Sequence, residues 1–265
     1  MNNNLIISKL SEIVKSVSKN ILLPYYTRVK ASSKADGSLI TQADIDVQNS
    51  IEEQLQQYFP QYAFFAEELS TVELENFFTQ NNAGYWCLDP IDGTSNFAAT
   101  LPYFCISLAL IVNKQTQLGI IYDPVRDECF TAIAGAGAQL NGRAIHRPEA
   151  PKCLAQCMAI VDFKRLRDEL AIKLVTTSPY YSQRSLGSVA LDWCWLAMGR
   201  AHLYLHGKQM LWDYAAGLLI AQESGCYSCT LTQEMVFHES LNARQVLAST
   251  DEQLQKQWLE FILSS

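Results

Sequence analysis

The sequence of 265 residues has no apolar run of the roughly eighteen residues that a membrane-spanning helix needs. Its N-terminal segment, "LIISKLSEIVKSVSKNILL", is interrupted by Lys, Glu and Ser, and it lacks the compact apolar stretch of a signal peptide. Long basic runs are also absent, and the formal net charge of -7 argues against nonspecific binding to nucleic acid. These absences predict a cytoplasmic protein with neither a membrane nor a nucleic acid as its partner.

The sequence also lacks paired cysteine motifs at the spacing of a zinc site. Several of its 8 cysteines lie in apolar stretches such as "YFCISLAL" and "LDWCWLAM", where a free thiol behaves as a small hydrophobic group. Cys226 and Cys229 form a C-x-x-C pair, but no second pair accompanies it in the sequence. Buried thiols are therefore favoured over a zinc or redox site.

What is present is the composition of an ordinary globular protein, with 49% hydrophobic and 18% charged residues. Apolar residues at helical spacing predict one helix over 5–23 and a second over 42–58. The segment 103–146 consists of β-rich runs and includes an Asn-Gly hairpin signal. The first half of the chain therefore predicts paired helices and an antiparallel sheet.

After 147–152 the pattern changes to alternating strands and helices, one of the helices being predicted over 163–174. This alternation is typical of an α/β arrangement with a mixed sheet. We therefore predict an α+β fold with a boundary near residue 150, which divides the chain into 1–150 and 151–265.

Carboxylates follow two of the predicted strands. Glu67 and Glu68 end the apolar segment "YAFFAEE", and Asp89 and Asp92 lie at the end of the next one, "GYWCLDP", which Asp-Pro is expected to stop. Asp213, in "LWDYAAG", opens a predicted helix. Each acid alone would fit an ordinary turn or a helix cap. Because neighbouring strand ends meet at one edge of a sheet, we expect these carboxylates to lie close together.

Carboxylates that converge in a partly apolar cleft need cations, and a set of oxygen ligands suits Mg²⁺. Two such ions a few ångström apart are a common means of attacking a phosphate ester in line. Gly93 and Thr94 open the segment "TSNFAATL", where a helix start could bind phosphate oxygens through backbone N–H groups. The pattern predicts a metal site beside a phosphate site.

The segment "WCLDPIDGTSNF" resembles the signature of the inositol monophosphatase family, which belongs to a superfamily of Mg²⁺-dependent, lithium-sensitive phosphatases. "LWDYAAGLLIAQESG" resembles its second signature. "GSLITQAD", "FFAEE" and "RSLGSVALDWCWLAMGRAHLY" resemble three further elements, and all the matches stand in family order. The resemblance implies a layered αβαβα sandwich, a homodimer and a small phosphorylated substrate.

The resemblance implies two or three Mg²⁺ ions, held mostly by the N-terminal half, with the C-terminal half supplying one carboxylate and the substrate contacts. The implied ligands are Glu67, Asp89, the carbonyl of Ile91, Asp92 and Asp213. Catalysis would be direct in-line attack by water, with no covalent phosphoenzyme.

Roles away from direct metal ligation follow from the same resemblance. Thr94 would lie beside the attacking water, Asp44 would hold the Thr94 hydroxyl, and Glu67 would orient or deprotonate that water. Glu68 would support the ligands, and Lys34 would either approach a water at the metal site or be solvated.

The implied substrate contacts are the N–H groups of Gly93 and Thr94, together with Gly187, Ser188 and His206. His206 stands where mammalian-type inositol-1-phosphatases have a Glu that binds sugar hydroxyls. We therefore expect less selective hydrolysis of inositol 1-phosphate, or a preference for a second anionic group near His206. His202 also departs from the usual Asp of its element. The four-residue spacing of the two histidines permits a zinc site, but hydrogen-bonded or solvated histidines are favoured.

The sequence leaves the substrate open. Inositol-1-phosphate-like monoesters come first, and a 3'(2'),5'-bisphosphate nucleotidase or another sugar or alcohol phosphatase of the family comes second. A different class of function is a binding module associated with the transcription machinery, since some bacterial relatives have that role. The intact set of acids favours an enzyme.

Overall fold

The computed structural model describes residues 3–26, 31–33, 39–78 and 84–264. In these ranges the helices are α1 (Asn3–Val17), α2 (Leu23–Tyr26), α3 (Gln42–Tyr58), α4 (Thr71–Phe77), α5 (Thr94–Ala98), α6 (Asp168–Thr177), α7 (Val189–Ala197), α8 (Leu211–Glu223) and α9 (Glu252–Leu263). A π-helical turn (Ser18–Leu22) joins α1 to α2, and 3₁₀ turns lie at Leu154–Gln156 and Phe163–Arg165. No helix in these ranges combines the length and the apolar character that crossing a membrane requires.

The strands of the described residues are β1 (Ala31–Ser33), β2 (Leu39–Thr41), β3 (Ala63–Ala66), β4 (Gly84–Asp92), β5 (Cys105–Val112), β6 (Gln115–Asp123), β7 (Glu128–Ile133), β8 (Gly137–Leu140), β9 (Arg143–Ala144), β10 (Met158–Asp162), β11 (Ser182–Arg184), β12 (Leu203–Gln209), β13 (Tyr227–Cys229) and β14 (Arg244–Ser249). β3 to β9 form one sheet in chain order, which is antiparallel except for the parallel pair β3–β4. The second sheet has the order β11-β10-β12-β14-β13 and is mixed. β1 pairs with β2 alone.

Helices form the outer layers on both sides of the molecule. α1 and α3 cover one face of the first sheet, where Val14 and Ile51 share a core with Trp86 of β4. At the other end, α6 and α9 cover the far face of the second sheet, where Trp258 shares a core with Leu205 of β12. Each outer helix pair thus buries its apolar stripe against one face of a sheet.

The middle layer consists of α7 and α8, which lie between the two sheets. Trp193 of α7 packs on Tyr204 of β12, with ring centroids 5.2 Å apart. Tyr214 of α8 belongs to the same core as Ile121 of β6. This arrangement confirms the layered αβαβα sandwich, with a mixed sheet in the C-terminal half.

The largest difference from the predicted elements lies at 163–174. The structure has a 3₁₀ turn at Phe163–Arg165, and α6 begins at Asp168. Because the side chain of Asp162 accepts a hydrogen bond from the Lys164 N–H (3.1 Å), it caps this separate turn. The division near residue 150 separates the strands of the two large sheets, and we keep it as a proposal about domain organisation.

The middle layer depends on a close approach at Gly217 of α8. A Cβ atom at this position would lie 2.6 Å from Cβ of Trp193 in α7. On the other side of α8, a Cβ at Gly119 of β6 would lie 2.9 Å from the carbonyl oxygen of Ala216. Glycine therefore sets the distance between α8 and both of its neighbours.

We expect Gly217→Ala to lower the free energy of unfolding by about 1–3 kcal/mol, because an extra methyl group overpacks this contact. Helix propensity alone would favour Ala over Gly by up to about 1 kcal/mol, so the two effects have opposite signs. Urea denaturation of the variant and the wild type gives the difference. An increase in stability would show that the two helices separate freely.

Candidate metal centre

Asp89 and Asp92 face the same side of the first sheet because β4 contains a bulge. Asp89 pairs with Ser107 of β5 and Asp92 pairs with Cys105, so three steps along β4 match two along β5. In a regular strand, residues three apart point to opposite faces. The extra residue beside Pro90 corrects this and brings both carboxylates toward the middle layer.

Asp92 joins β4 to the start of α7. Its Oδ2 accepts hydrogen bonds from the Ser188 hydroxyl (2.5 Å) and the Ala190 N–H (2.7 Å), and its Oδ1 accepts one from the Val189 N–H (3.2 Å). The carboxylate therefore satisfies N–H groups that the first turn of a helix leaves without partners. Ser188, which was predicted to contact substrate, is tied to Asp92 and also accepts from the Leu191 N–H (3.4 Å).

Asp213 reaches the same place from the first turn of α8. Its Oδ2 accepts a hydrogen bond from the Met210 N–H (2.8 Å), which fixes the side chain at the start of the helix. Oxygen atoms of Asp89, Asp92 and Asp213 lie within 4.8 Å of one another. Three of the five predicted ligands therefore come together as a group that could hold a metal ion.

The electrostatics of this group favour a cation. Burial, followed by the charges of Glu67 and Asp92, raises the pKa of Asp89 well above its usual value. The same causes act on Asp213, where burial is again the largest and Asp92 the second. Burial also raises the pKa of Asp92 to about 6, although its hydrogen bonds from Ser188 and Ala190 oppose the shift. A bound cation would remove the cost of ionising these groups together.

Two other predicted carboxylates lie close enough to influence Asp89 electrostatically. Glu67 follows β3, and its backbone N–H donates to the carbonyl of Leu88 (3.2 Å). Asp44, in the first turn of α3, is buried, and its Oδ2 accepts from the N–H (2.7 Å) and hydroxyl (2.6 Å) of Thr41. The charges of both acids contribute to the raised pKa of Asp89.

The remaining predicted positions near the metal group differ in their surroundings. Glu68 is half-buried beside Glu67. The Ile91 N–H donates to Asp89 Oδ1 (3.0 Å), and the Ile91 carbonyl accepts from the Thr94 hydroxyl (3.0 Å). Lys34 lies outside the described residues.

The turn between β4 and α5 packs directly on the segment before α7. Gly93 has a φ of 94°, and a Cβ there would lie 3.0 Å from the carbonyl oxygen of Tyr103 and 3.3 Å from that of Gly187. Asn96 donates from Nδ2 to the carbonyls of Tyr103 and Leu186, both at 2.8 Å. Glycine is thus required at 93, and the predicted Gly93–Thr94 and Gly187–Ser188 segments adjoin each other.

His206 lies in a different environment from the one that the sequence suggested. It is 2% exposed, its Nδ1 accepts from the Lys208 N–H (3.2 Å), and its Nε2 lies 3.0 Å from Asp162 Oδ2. Both ring nitrogens therefore have protein partners, and neither is left for a substrate hydroxyl. His202 Nδ1 accepts from the Met158 N–H (3.0 Å). The interpretation of hydrogen-bonded histidines is confirmed.

Sequence reasoning missed Asp162 and Arg165, which lie beside His206. Asp162 pairs with His206 across the parallel strands β10 and β12, and its Oδ2 also binds Arg165 Nη1. Neither residue belongs to a recognised motif. The replacement of a Glu by His206 was the available signal, because a buried histidine needs a hydrogen-bonding partner.

Comparison with known proteins gives a consistent result. The model of the inositol monophosphatase family matches residues 4–264. Inositol monophosphatase 1 of Solanum lycopersicum is 36% identical over 199 residues, which cover 72% of each chain. Nus factor SuhB of Pasteurella multocida (strain Pm70) is 31% identical over 218 residues, 79% of each chain. A solved structure, the IMPase of Thermotoga maritima, has 25% identity and a TM-score of 0.83, covering 98% of this chain and 96% of that one.

Without divalent cations, we expect Asp89→Asn and Asp213→Asn to have a higher Tm than the wild type, because each removes a repelling charge. When the pKa of a carboxyl group is higher in the folded state than in the unfolded state, the folded protein binds more protons. The wild type therefore loses stability as the pH rises through about 6, where Asp92 ionises in the folded protein. The gain in Tm should therefore be larger at about pH 8 than at about pH 5.

The same thermal scans with Mg²⁺ test whether this group binds the ion. Mg²⁺ should raise the Tm of the wild type but not that of either variant. Asp192→Asn is the matched control, since Asp192 is also a buried carboxyl but lies outside the group of three. It should keep the Mg²⁺ effect. Equal Mg²⁺ effects in all four proteins would rule out ligation by Asp89 and Asp213.

Proposed function

The chain belongs to the inositol monophosphatase family, and we propose that it hydrolyses inositol 1-phosphate or a similar small phosphate monoester in a Mg²⁺-dependent reaction. Members of this family are phosphatases, so the chain is a hydrolase of phosphate monoesters. The observation that carries the proposal is the group of three carboxylates within 4.8 Å of one another.

The residues present fit Mg²⁺. Asp89, Asp92 and Asp213 offer only oxygen atoms, which this hard cation prefers over nitrogen or sulfur. The raised pKa values, caused by burial and mutual repulsion, mean that a cation of high charge density has a large stabilising effect here. We assign Glu67 and the Ile91 carbonyl as the further ligands, for two or three ions in total.

Bound Mg²⁺ ions would lower the pKa of a water molecule and neutralise charge on the phosphate. Within the chain, we assign Glu67 to orient the attacking water and to accept its proton. The Thr94 hydroxyl, which donates to the Ile91 carbonyl, is held on the same turn as the ligand Asp92. Asp44 was predicted to hold the Thr94 hydroxyl, but that hydroxyl donates to the Ile91 carbonyl, and Asp44 accepts from Thr41 instead. We assign Glu68 to support Glu67.

The phosphate would bind at the turn that follows β4. We assign the N–H groups of Gly93 and Thr94 as its donors. The close contact of Gly93 with Tyr103 and Gly187 supports this assignment, because it holds the turn in one conformation. Gly187 and Ser188 would form the other wall, with Ser188 acting through Asp92.

Among the possible functions, inositol-phosphate hydrolysis is favoured over the bisphosphate nucleotidase alternative. The relative at 36% identity is named inositol monophosphatase 1, and the relative at 31% identity is named Nus factor SuhB. The second name supports a second candidate, a binding role in transcription. The intact metal group supports an enzyme, whether or not the chain also has that role. A homodimer and a cytoplasmic location remain proposals from the family.

We expect Asp89→Asn and Asp213→Asn to lose more activity than the roughly 10- to 100-fold that loss of a supporting residue costs at a metal site. Each substitution removes negative charge from a ligand, so the loss should persist at saturating Mg²⁺. Phosphate release from inositol 1-phosphate is the assay, with Asp192→Asn as the control that keeps its activity. Near-wild-type rates in either ligand variant would overturn the metal-dependent reaction.

We also expect inhibition by lithium at millimolar concentrations and by excess Mg²⁺, on the basis of the family alone. A small monovalent ion that replaces a weakly held Mg²⁺ would slow product release. Steady-state rates over a LiCl series, with NaCl at equal ionic strength as the control, measure this. Equal rates in the two salts would place the enzyme outside the lithium-sensitive members of the family.

A further inference from the structure

The turn that carries Arg165 packs on β12 close to the point where the chain leads into α8. A Cβ at Gly207 would lie 1.9 Å from the Arg165 carbonyl oxygen, so the backbone of the turn lies directly against this strand. Three residues later, Met210 caps α8, the helix that carries Asp213. The 3₁₀ turn therefore packs against residue 207, and the helix that carries Asp213 begins at Leu211, four residues further along the chain.

A buried hydrogen-bond system fixes the Arg165 side chain. His206 Nδ1 accepts from the Lys208 N–H, so the proton of a neutral ring is on Nε2 and is donated to Asp162 Oδ2 (3.0 Å). Burial lowers the pKa of His206 and favours that neutral form. The same Oδ2 accepts from Arg165 Nη1. Asp162 is thereby held on two sides, and it orients the guanidinium.

Asp162 remains ionised in this arrangement. Burial alone would raise the pKa of Asp162, but the hydrogen bond from His206 and the charge and hydrogen bond of Arg165 lower it to about 2. A simple surface ion pair between residues 162 and 165 would need neither a buried histidine nor a glycine at 207. The arrangement is therefore built to place Arg165 rather than only to neutralise Asp162.

The rest of the guanidinium is available to a ligand. The Arg165 side chain is 44% exposed, and an arginine has five N–H donors in a fixed plane. Because β10 and β12 are parallel and pair up to Asp162 and His206, the turn with Arg165 and the segment leading to Asp213 leave the sheet at the same edge. Lys164 precedes Arg165, Lys208 follows Gly207, and both lysines are exposed, so they add positive charge to these two adjoining segments.

We propose that Arg165, positioned by Asp162 and His206, is a specificity-determining residue that binds a second anionic group on the substrate. This inference rests on the proposed phosphatase function and names the substrate class: small phosphate monoesters that also carry a carboxylate or a second phosphate. A planar guanidinium pairs with either group through two parallel hydrogen bonds. His206 acts through Asp162 and does not touch the substrate.

Matched substrate pairs test this inference. 2-Phosphoglycerate and glycerol 2-phosphate share a carbon skeleton and differ by one carboxylate, while fructose 1,6-bisphosphate and fructose 1-phosphate differ by one phosphate. We expect the wild type to show a higher kcat/KM for the more anionic member of at least one pair. Arg165→Gln should reduce that preference about tenfold or more, mainly through KM, because a hydrogen-bonded charge pair is lost.

Arg167→Gln is the matched control, since it removes an exposed positive charge two residues further along. It should leave the preference unchanged, and Arg165→Lys should retain part of it. No preference in the wild type, or equal losses on both members of a pair, would overturn the inference while leaving the phosphatase function intact. Failure to hydrolyse any of the four probes or inositol 1-phosphate would instead overturn the proposed function, and the inference with it.

Discussion

The carboxylate of Asp92 is the contact on which the rest of the site depends. It belongs to the bulged end of β4, accepts three hydrogen bonds from the start of α7, and lies within reach of Asp89 and Asp213. One side chain thus fixes the middle helical layer to the first sheet and contributes to the metal group. Because the helix start supplies its donors, this carboxylate is the least costly of the three to ionise.

The position of Asp92 between β4 and α7 also explains why a closely packed region of the fold surrounds carboxylates that repel one another. Three carboxylates at this spacing are destabilising without a cation, since burial and repulsion both oppose their ionisation. The surrounding layers hold them in place, because α8 packs closely on β6 at Gly119 and on α7 at Gly217. The packing of the middle layer therefore also sets the positions of the proposed metal ligands.

In the C-terminal sheet, the side chains around His206 are an aspartate and an arginine rather than a group of acids. Where the family comparison led us to expect a hydroxyl-binding carboxylate position, His206 is turned inward and paired with Asp162. The outward group is Arg165. In the substrate site that we propose, Arg165 would therefore meet the substrate in place of a carboxylate, and neither Arg165 nor Asp162 belongs to a sequence motif.

The sequence by itself determined the element types, the layered α+β fold and the identity of the clustered acids. Those features depend on local periodicity and on short motifs, such as the segment "DPID" at 89–92 with which β4 ends. It misplaced the helix over 163–174, because the capping of a 3₁₀ turn by Asp162 depends on a side chain held by His206 from another strand. The tertiary structure alone decided which face Asp92 occupies and which partner His206 takes. Both outcomes depend on strand register, a bulge in one case and the 162–206 pairing in the other, and register is set by contacts between segments far apart in the chain.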